Sequence, residues 1–187
     1  MKHYGKSQIL KTLLNQDGIR GGKMILRISA YNQLRVLSFH LIGTIFMLVA
    51  LYLLKFNIDF VVVFGGMYVL LTLPLLYLHI EYYIANRKQV ITIEDDEFTI
   101  STQNGYTHKF KFTELSNVIL YKSASLDKGG IQITPIESYH YARIITKSER
   151  QIIITCLMSP KLEEVVNELK GVQKKRKKRL FCTLLWK

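Results

Sequence analysis

Two stretches of the chain, residues 36–54 and 60–80, contain no Lys, Arg, Asp or Glu, and only residues 55–59 separate them. A helix rises about 1.5 Å per residue and a bilayer core is roughly 30 Å thick, so each stretch is long enough to cross. The short connection makes the second helix return. The reading is a transmembrane hairpin with both chain ends on one side.

Charge assigns the side. Residues 1–35 hold seven bases against the single acid Asp17, Arg87 and Lys88 follow the second stretch, and the connection holds only Lys55 and Asp59. The basic excess therefore lies where both termini lie, which the positive-inside rule makes cytoplasmic. The expected location is the cell (inner, cytoplasmic) membrane, multi-pass. A signal peptide is disfavoured, because the first apolar run starts late, is long, and is followed by a second.

The net charge of +12 divides unevenly. Residues 81–172 hold eleven bases and twelve acids, whereas 173–187 add seven bases and no acid. A neutral folded part with basic ends fits an anionic membrane surface, where each Lys or Arg contributes about 1 kcal/mol. It does not fit nucleic acid, which asks for a folded basic face. Lys174, Lys175, Arg176, Lys177, Lys178, Arg179 and Trp186 are the expected membrane-surface residues, with Leu180, Phe181, Leu184 and Leu185 supplying apolar contact.

Near the N-terminus, Ile9, Leu10, Leu13 and Leu14 recur at helical spacing behind Ser7. From residue 87 the period changes to short alternating segments. Ile91, Ile93, Phe98 and Ile100 flank the acidic residues 94–97 as a hairpin. At Gln103-Asn104-Gly105, a two-residue Asn-Gly loop would set Lys109 and Lys111 on the apolar face. A three-residue loop instead pairs Phe98 with Phe110 and Ile100 with His108, with Gly105 left-handed. A brief irregular or helical step over 113–117 precedes strands over 118–122, 131–134, 139–147 and 151–157, the last two joined by a turn at Ser148-Glu149. The expected total is seven strands. Ser159, Pro160 and the stripe Leu162, Val165, Val166, Leu169 read as one helix, stopped at Gly171 and suited to plug a barrel.

These residues carry a resemblance. The hairpin, the Asn86-Arg87-Lys88 link, the strands "VITIEDDEFTI" and "HKFKFTELSNVILYKS", and the helix "SPKLEEVVNEL" resemble the bacterial pleckstrin-homology-like membrane proteins of the YcxB-like type over roughly residues 36–170. The resemblance implies a seven-stranded bent barrel with a C-terminal capping α-helix, membrane attached and without established chemistry. The domains expected are a basic segment 1–35, the hairpin 36–80, a β domain 87–171 and a polybasic, aromatic tail 172–187.

Catalytic constellations are sparse. Ser138 and His140 lack the strained glycine turn that activates a serine, and no phosphate loop, dinucleotide fingerprint or His-Glu-x-x-His occurs. His40 and His79 are read as reaching head groups, and His108 as a core histidine. Cys156 and Cys182 give neither a disulfide framework nor metal spacing. Gly43, Gly65 and Gly66 offer close helix approach, and Pro74 a kink.

The expectation is a non-enzymatic module, without cofactor or metal, whose partners are the lipid bilayer and a protein or a second copy of the chain. By analogy with the pleckstrin-homology superfold, Lys109, Lys111, Lys122 and Lys128 are the expected lipid-binding residues. The alternative is a two-span effector gated by a cyclic nucleotide in anti-phage defence, with Tyr106, Tyr121, Tyr139 and Tyr141 as base-stacking groups.

Overall fold

The computed structural model describes residues 23–130 and 134–185. The expected N-terminal helix, most of the strand at 131–134, and Trp186 lie outside the described residues. The elements in order are β1 (Lys23–Leu26), α1 (Ala30–Leu53), α2 (Ile58–Asn86), β2 (Gln89–Glu94), β3 (Glu97–Thr102), β4 (Thr107–Lys111), β5 (Leu115–Lys122), α3 (Ala124–Asp127), β6 (Tyr141–Thr146), β7 (Gln151–Thr155), α4 (Leu162–Glu168) and β8 (Gln173–Lys178).

α1 and α2 are long and apolar enough to cross a membrane by length and composition. Ser29 caps α1 by accepting from Asn32 N at 3.1 Å. The chain reverses at Lys55 and Phe56, both with positive φ, and Asn57 Oδ1 then caps the start of α2. Both helices run past the uncharged stretches, α1 beginning at Ala30 and α2 ending at Asn86. Their extra turns are buried against the β structure through Asn32, Tyr82 and Asn86. Among the described residues, Gly43, Gly65 and Gly66 serve no close approach, since a Cβ at any of them would meet nothing within 4 Å.

The described residues form eight strands in two four-stranded sheets, β1-β2-β3-β4 and β7-β6-β5-β8, rather than one seven-stranded closed barrel. The difference has a physical source at both ends of the chain. β1 lies before the helices yet pairs antiparallel with β2, so the hairpin is inserted between two neighbouring strands of one sheet. β8, read from sequence as part of a tail, pairs in parallel with β5, placing Lys174 beside Val118 and Lys178 beside Lys122. Boundaries at 87 and 171 leave both strands outside the domain.

The inner faces of the two sheets enclose a core with α4. Leu26, Ile91, Ile93 and Phe98 come from the first sheet, Val118, Leu120, Ala142, Ile144, Ile152 and Ile154 from the second, and Leu162, Val165, Val166 and Leu169 from the helix stripe. Each such side chain contributes about 1.5–3 kcal/mol by leaving water. The helix starts at Leu162 with Lys161 at its cap, while Ser159 Oγ accepts from Lys161 N.

The β3–β4 register is the one expected: Phe98 opposes Phe110, Ile100 opposes His108, and Gly105 sits at φ +82° in a three-residue loop. His108 is nevertheless exposed, because β4 is the sheet edge and extends beyond the core. The step at Phe112–Glu114 is a 3-10 turn, and β5 starts three residues earlier than expected, with an irregularity between Leu115 and Asn117.

Candidate functional site

Strand alternation gives the second sheet two chemically different faces. The register aligns Lys175, Ile119, Arg143 and Ile153 in one row, and Lys177, Tyr121, Tyr141 and Thr155 in the next. This outer face lies away from the core and receives the helical hairpin. Val36, Leu75, Leu78 and Tyr82 pack with Tyr121, Tyr139, Tyr141, Leu157 and Cys182 in a second apolar cluster.

The hairpin is bolted to this face by polar contacts as well. Asn86 Nδ2 donates to Ile153 O at 2.8 Å and its Oδ1 accepts from Thr155 N at 3.2 Å, which satisfies the free edge of β7. Asn32 Nδ2 donates to Leu157 O and Met158 O at 3.3 and 3.1 Å. His79 Nδ1 and Tyr139 OH are 3.0 Å apart, and His40 Nε2 lies 3.1 Å from Tyr68 OH, which also bonds Thr44. Both histidines thus have protein partners where the sequence reading gave them head groups.

After β8 the chain crosses the outer face as a strap. Tyr82 OH donates to Cys182 O at 2.6 Å. Glu81 accepts from Thr183 Oγ1 at 2.9 Å and from Leu184 N and Leu185 N at 3.0 and 3.1 Å. Phe181 stacks on Tyr77 at 6.3 Å, whereas Leu180 and Leu185 are exposed.

The basic run resolves into two sets. On the inner side, Lys178 and Arg176 meet Asp127 at 3.1 and 3.8 Å, Arg176 meets Glu163 at 3.5 Å, and Lys122 meets Glu163 at 2.7 Å. The hydrogen bond from Lys178 holds the Asp127 carboxyl below its ordinary pKa, and that from Lys122 does the same for Glu163, both against the opposing effect of burial. This network offsets part of the charge on the strand side that faces α3 and α4, where Lys174 donates instead to Asn167 O at 3.1 Å. On the outer side, Lys175 and Lys177 are exposed and make no ion pair among the described residues. Lys177 Nζ is 6.0 Å and Arg179 Cζ 4.7 Å from the Tyr121 ring centroid. Arg143 is 6% exposed, its Cζ 5.4 Å from the same ring and its Nε without a hydrogen-bond partner among the described residues.

The four expected lipid-binding lysines are not brought together. Lys109 and Lys111 project from edge strand β4 on the outer side of the first sheet, Lys128 is exposed beyond α3, and Lys122 is buried and committed to Glu163. The sequence signal that could have separated Lys122 from the others is its inward parity with Val118 and Leu120.

Of the four tyrosines offered for base stacking, Tyr121, Tyr139 and Tyr141 are buried in packing and only Tyr106 is open. Tyr121 and Tyr141 stack on each other at 4.6 Å. Burial pushes the Cys156 thiol up to about 12 and Cys182 to about 11, the latter opposed by Arg179, so neither is an activated nucleophile. His140 is buried, its Nδ1 2.8 Å from Ser138 O rather than the hydroxyl, and burial lowers its pKa to about 4. Among the described residues no group of three or more His, Cys, Asp or Glu could hold a metal.

The chain matches a family described as PH domain over residues 25–163. It belongs to that family. The matched stretch begins in β1, takes in both long helices and ends in α4, so hairpin and sheets are covered as one unit. No curated protein matches the chain. PH-like domains are typically non-enzymatic interaction modules, which bind proteins or lipids.

Proposed function

We propose that this PH-domain protein is a membrane-anchored, non-enzymatic interaction module of the bacterial YcxB-like type. Its hairpin crosses the cell membrane, both chain ends are cytoplasmic, and the outer face of its second sheet engages the anionic lipid surface. The single observation that carries this reading is the placement of Lys175 and Lys177, exposed and without an ion pair among the described residues, on the sheet face that also receives the hairpin. Cations beside the exit of two apolar helices meet lipid phosphates where those phosphates lie.

Exposure along the helices supports the anchoring. Beyond the last buried residues, Val36 and Leu75, residues 37–53 and 58–74 each extend about 26 Å at the helical rise, close to a hydrocarbon thickness. Phe46 and Leu70 on these segments are each 70% exposed, an apolar surface that water does not tolerate at this extent. The strap residues Leu180, Phe181 and Leu185 lie at the level of Tyr77 and Glu81, in position for the interface. Lys109, Lys111 and Lys128 remain open for weaker surface contact, while Lys122 acts structurally.

Fractionation of expressing cells tests the anchor. The full chain stays with membranes through high-salt and alkaline washes and leaves only with detergent; recovery in a detergent-free high-speed supernatant would overturn the reading.

A further inference from the structure

We infer that the chain holds one anionic phospholipid at a second place, in the cavity between β1, the start of α1 and the start of α4. The inference rests on the membrane reading above but concerns residues outside the basic sheet face. The cavity measures about 270 Å³, with Met24, Leu26 and Val165 as its floor and Tyr31, Arg35, Ser159 and Lys161 around it. Lys161 is paired to Glu164 at 3.0 Å, also in the wall, while Arg35 makes no ion pair among the described residues. The wall therefore carries one uncompensated guanidinium, a group whose planar fork suits a phosphate diester.

Its position selects a lipid. Arg35 is the last charged residue before the uncharged run of α1, so the cavity opens where the polar surface gives way to the apolar helix. At 100° per residue, Tyr31, Arg35, Ser38, Ile42, Ile45 and Val49 fall on one stripe of α1. Ile42, Ile45 and Val49 are all exposed. A phosphate held by Arg35 and the Tyr31 hydroxyl would continue into an acyl chain along that stripe. A free phosphate would use only the first half of the site.

Native mass spectrometry of the full chain in detergent micelles, with palmitoyl-oleoyl phosphatidylglycerol added, reads the site directly. One phosphatidylglycerol is retained in preference to phosphatidylcholine, and excess glycerol phosphate does not displace it. Arg35→Gln lowers the retained fraction about tenfold, the effect of one charge-assisted hydrogen bond. Lys161→Gln lowers it less, and Lys147→Gln, at the β6–β7 turn and not among the residues assigned to lipid, leaves it unchanged. Equal retention of phosphatidylcholine, equal retention by Arg35→Gln, or displacement by glycerol phosphate overturns the inference. A chain that stays in solution without detergent overturns the anchoring instead, so the two failures are distinguishable.

Discussion

Asn86, the last residue of α2, holds the backbone of Thr155 at the edge of β7, its Oδ1 accepting the Thr155 N–H at 3.2 Å. The same amide donates to Ile153 O, so one side chain completes two backbone groups of a strand that has no neighbouring strand on that side among the described residues. With Asn32 doing the equivalent for Leu157 and Met158, the hairpin and the sheets form one body rather than a domain on a tether.

Asn86→Ala removes both hydrogen bonds in a buried setting and leaves their partners unsatisfied. The expected loss is about 2–3 kcal/mol of stability, read as a lowered denaturation midpoint of the full chain in mild detergent. Unchanged stability would mean that the helix end is not structurally coupled to β7.

Acid should destabilise the protein in two successive, partly overlapping windows. His140 is held neutral by burial, with its pKa lowered from 6.5 to about 4. The unfolded chain therefore takes up a proton that the fold refuses, and stability falls as pH drops from 6.5 to about 4, by on the order of 3 kcal/mol. Asp127 and Glu163 have carboxyl pKa values below their ordinary 3.8 and 4.5, so their contribution is complete above those values and disappears as pH falls through the lower, folded ones. His140→Gln removes the upper window and Glu163→Gln reduces the lower one, both visible in the pH dependence of the melting temperature.

Glu81 fixes the strap, so Glu81→Ala should expose Cys182. Cys182 is 1% exposed and Cys156 fully buried in the sheet packing. Alkylation of Cys182 by iodoacetamide is expected to accelerate roughly tenfold, as a locally opened segment would, with Cys156 unaffected. Equal rates in variant and parent would contradict the clamp formed by Thr183, Leu184 and Leu185 on Glu81.

In lipid nanodiscs, the full chain should melt at a higher temperature when anionic lipid replaces neutral lipid, because a ligand that binds only the native state stabilises it. Replacing Lys175 and Lys177 together by Gln should remove most of that gain. Replacing Lys109 and Lys111 should leave most of it, since those two project from the first sheet.

Features set by local pattern were legible in the sequence. The Phe98–Phe110 register followed from parity and one glycine, and the α4 stripe followed from helical spacing. The missed elements depend on distant partners. β1 is four residues whose neighbour in the sheet comes after the whole hairpin. β8 consists almost wholly of Lys and Arg, a composition that reads as a solvated tail. It becomes a strand because Asp127 and Glu163, on two short helices, pair with Arg176 and Lys178 on one of its sides while β5 supplies the ladder. Lys122 was misplaced for the same reason, since its acid lies on α4. The sequence reading named the basic run but not which of its members are paired to acids.

Topology is the claim on which the rest depends. Single cysteines placed at the hairpin turn, Lys55→Cys, and beyond α3 in the β domain, Lys128→Cys, can be probed with a membrane-impermeant maleimide in cells expressing the full chain. The account predicts labelling at 55 in intact cells and at 128 only after permeabilisation. Labelling at 128 from outside, or failure at 55 until the membrane is opened, would contradict it.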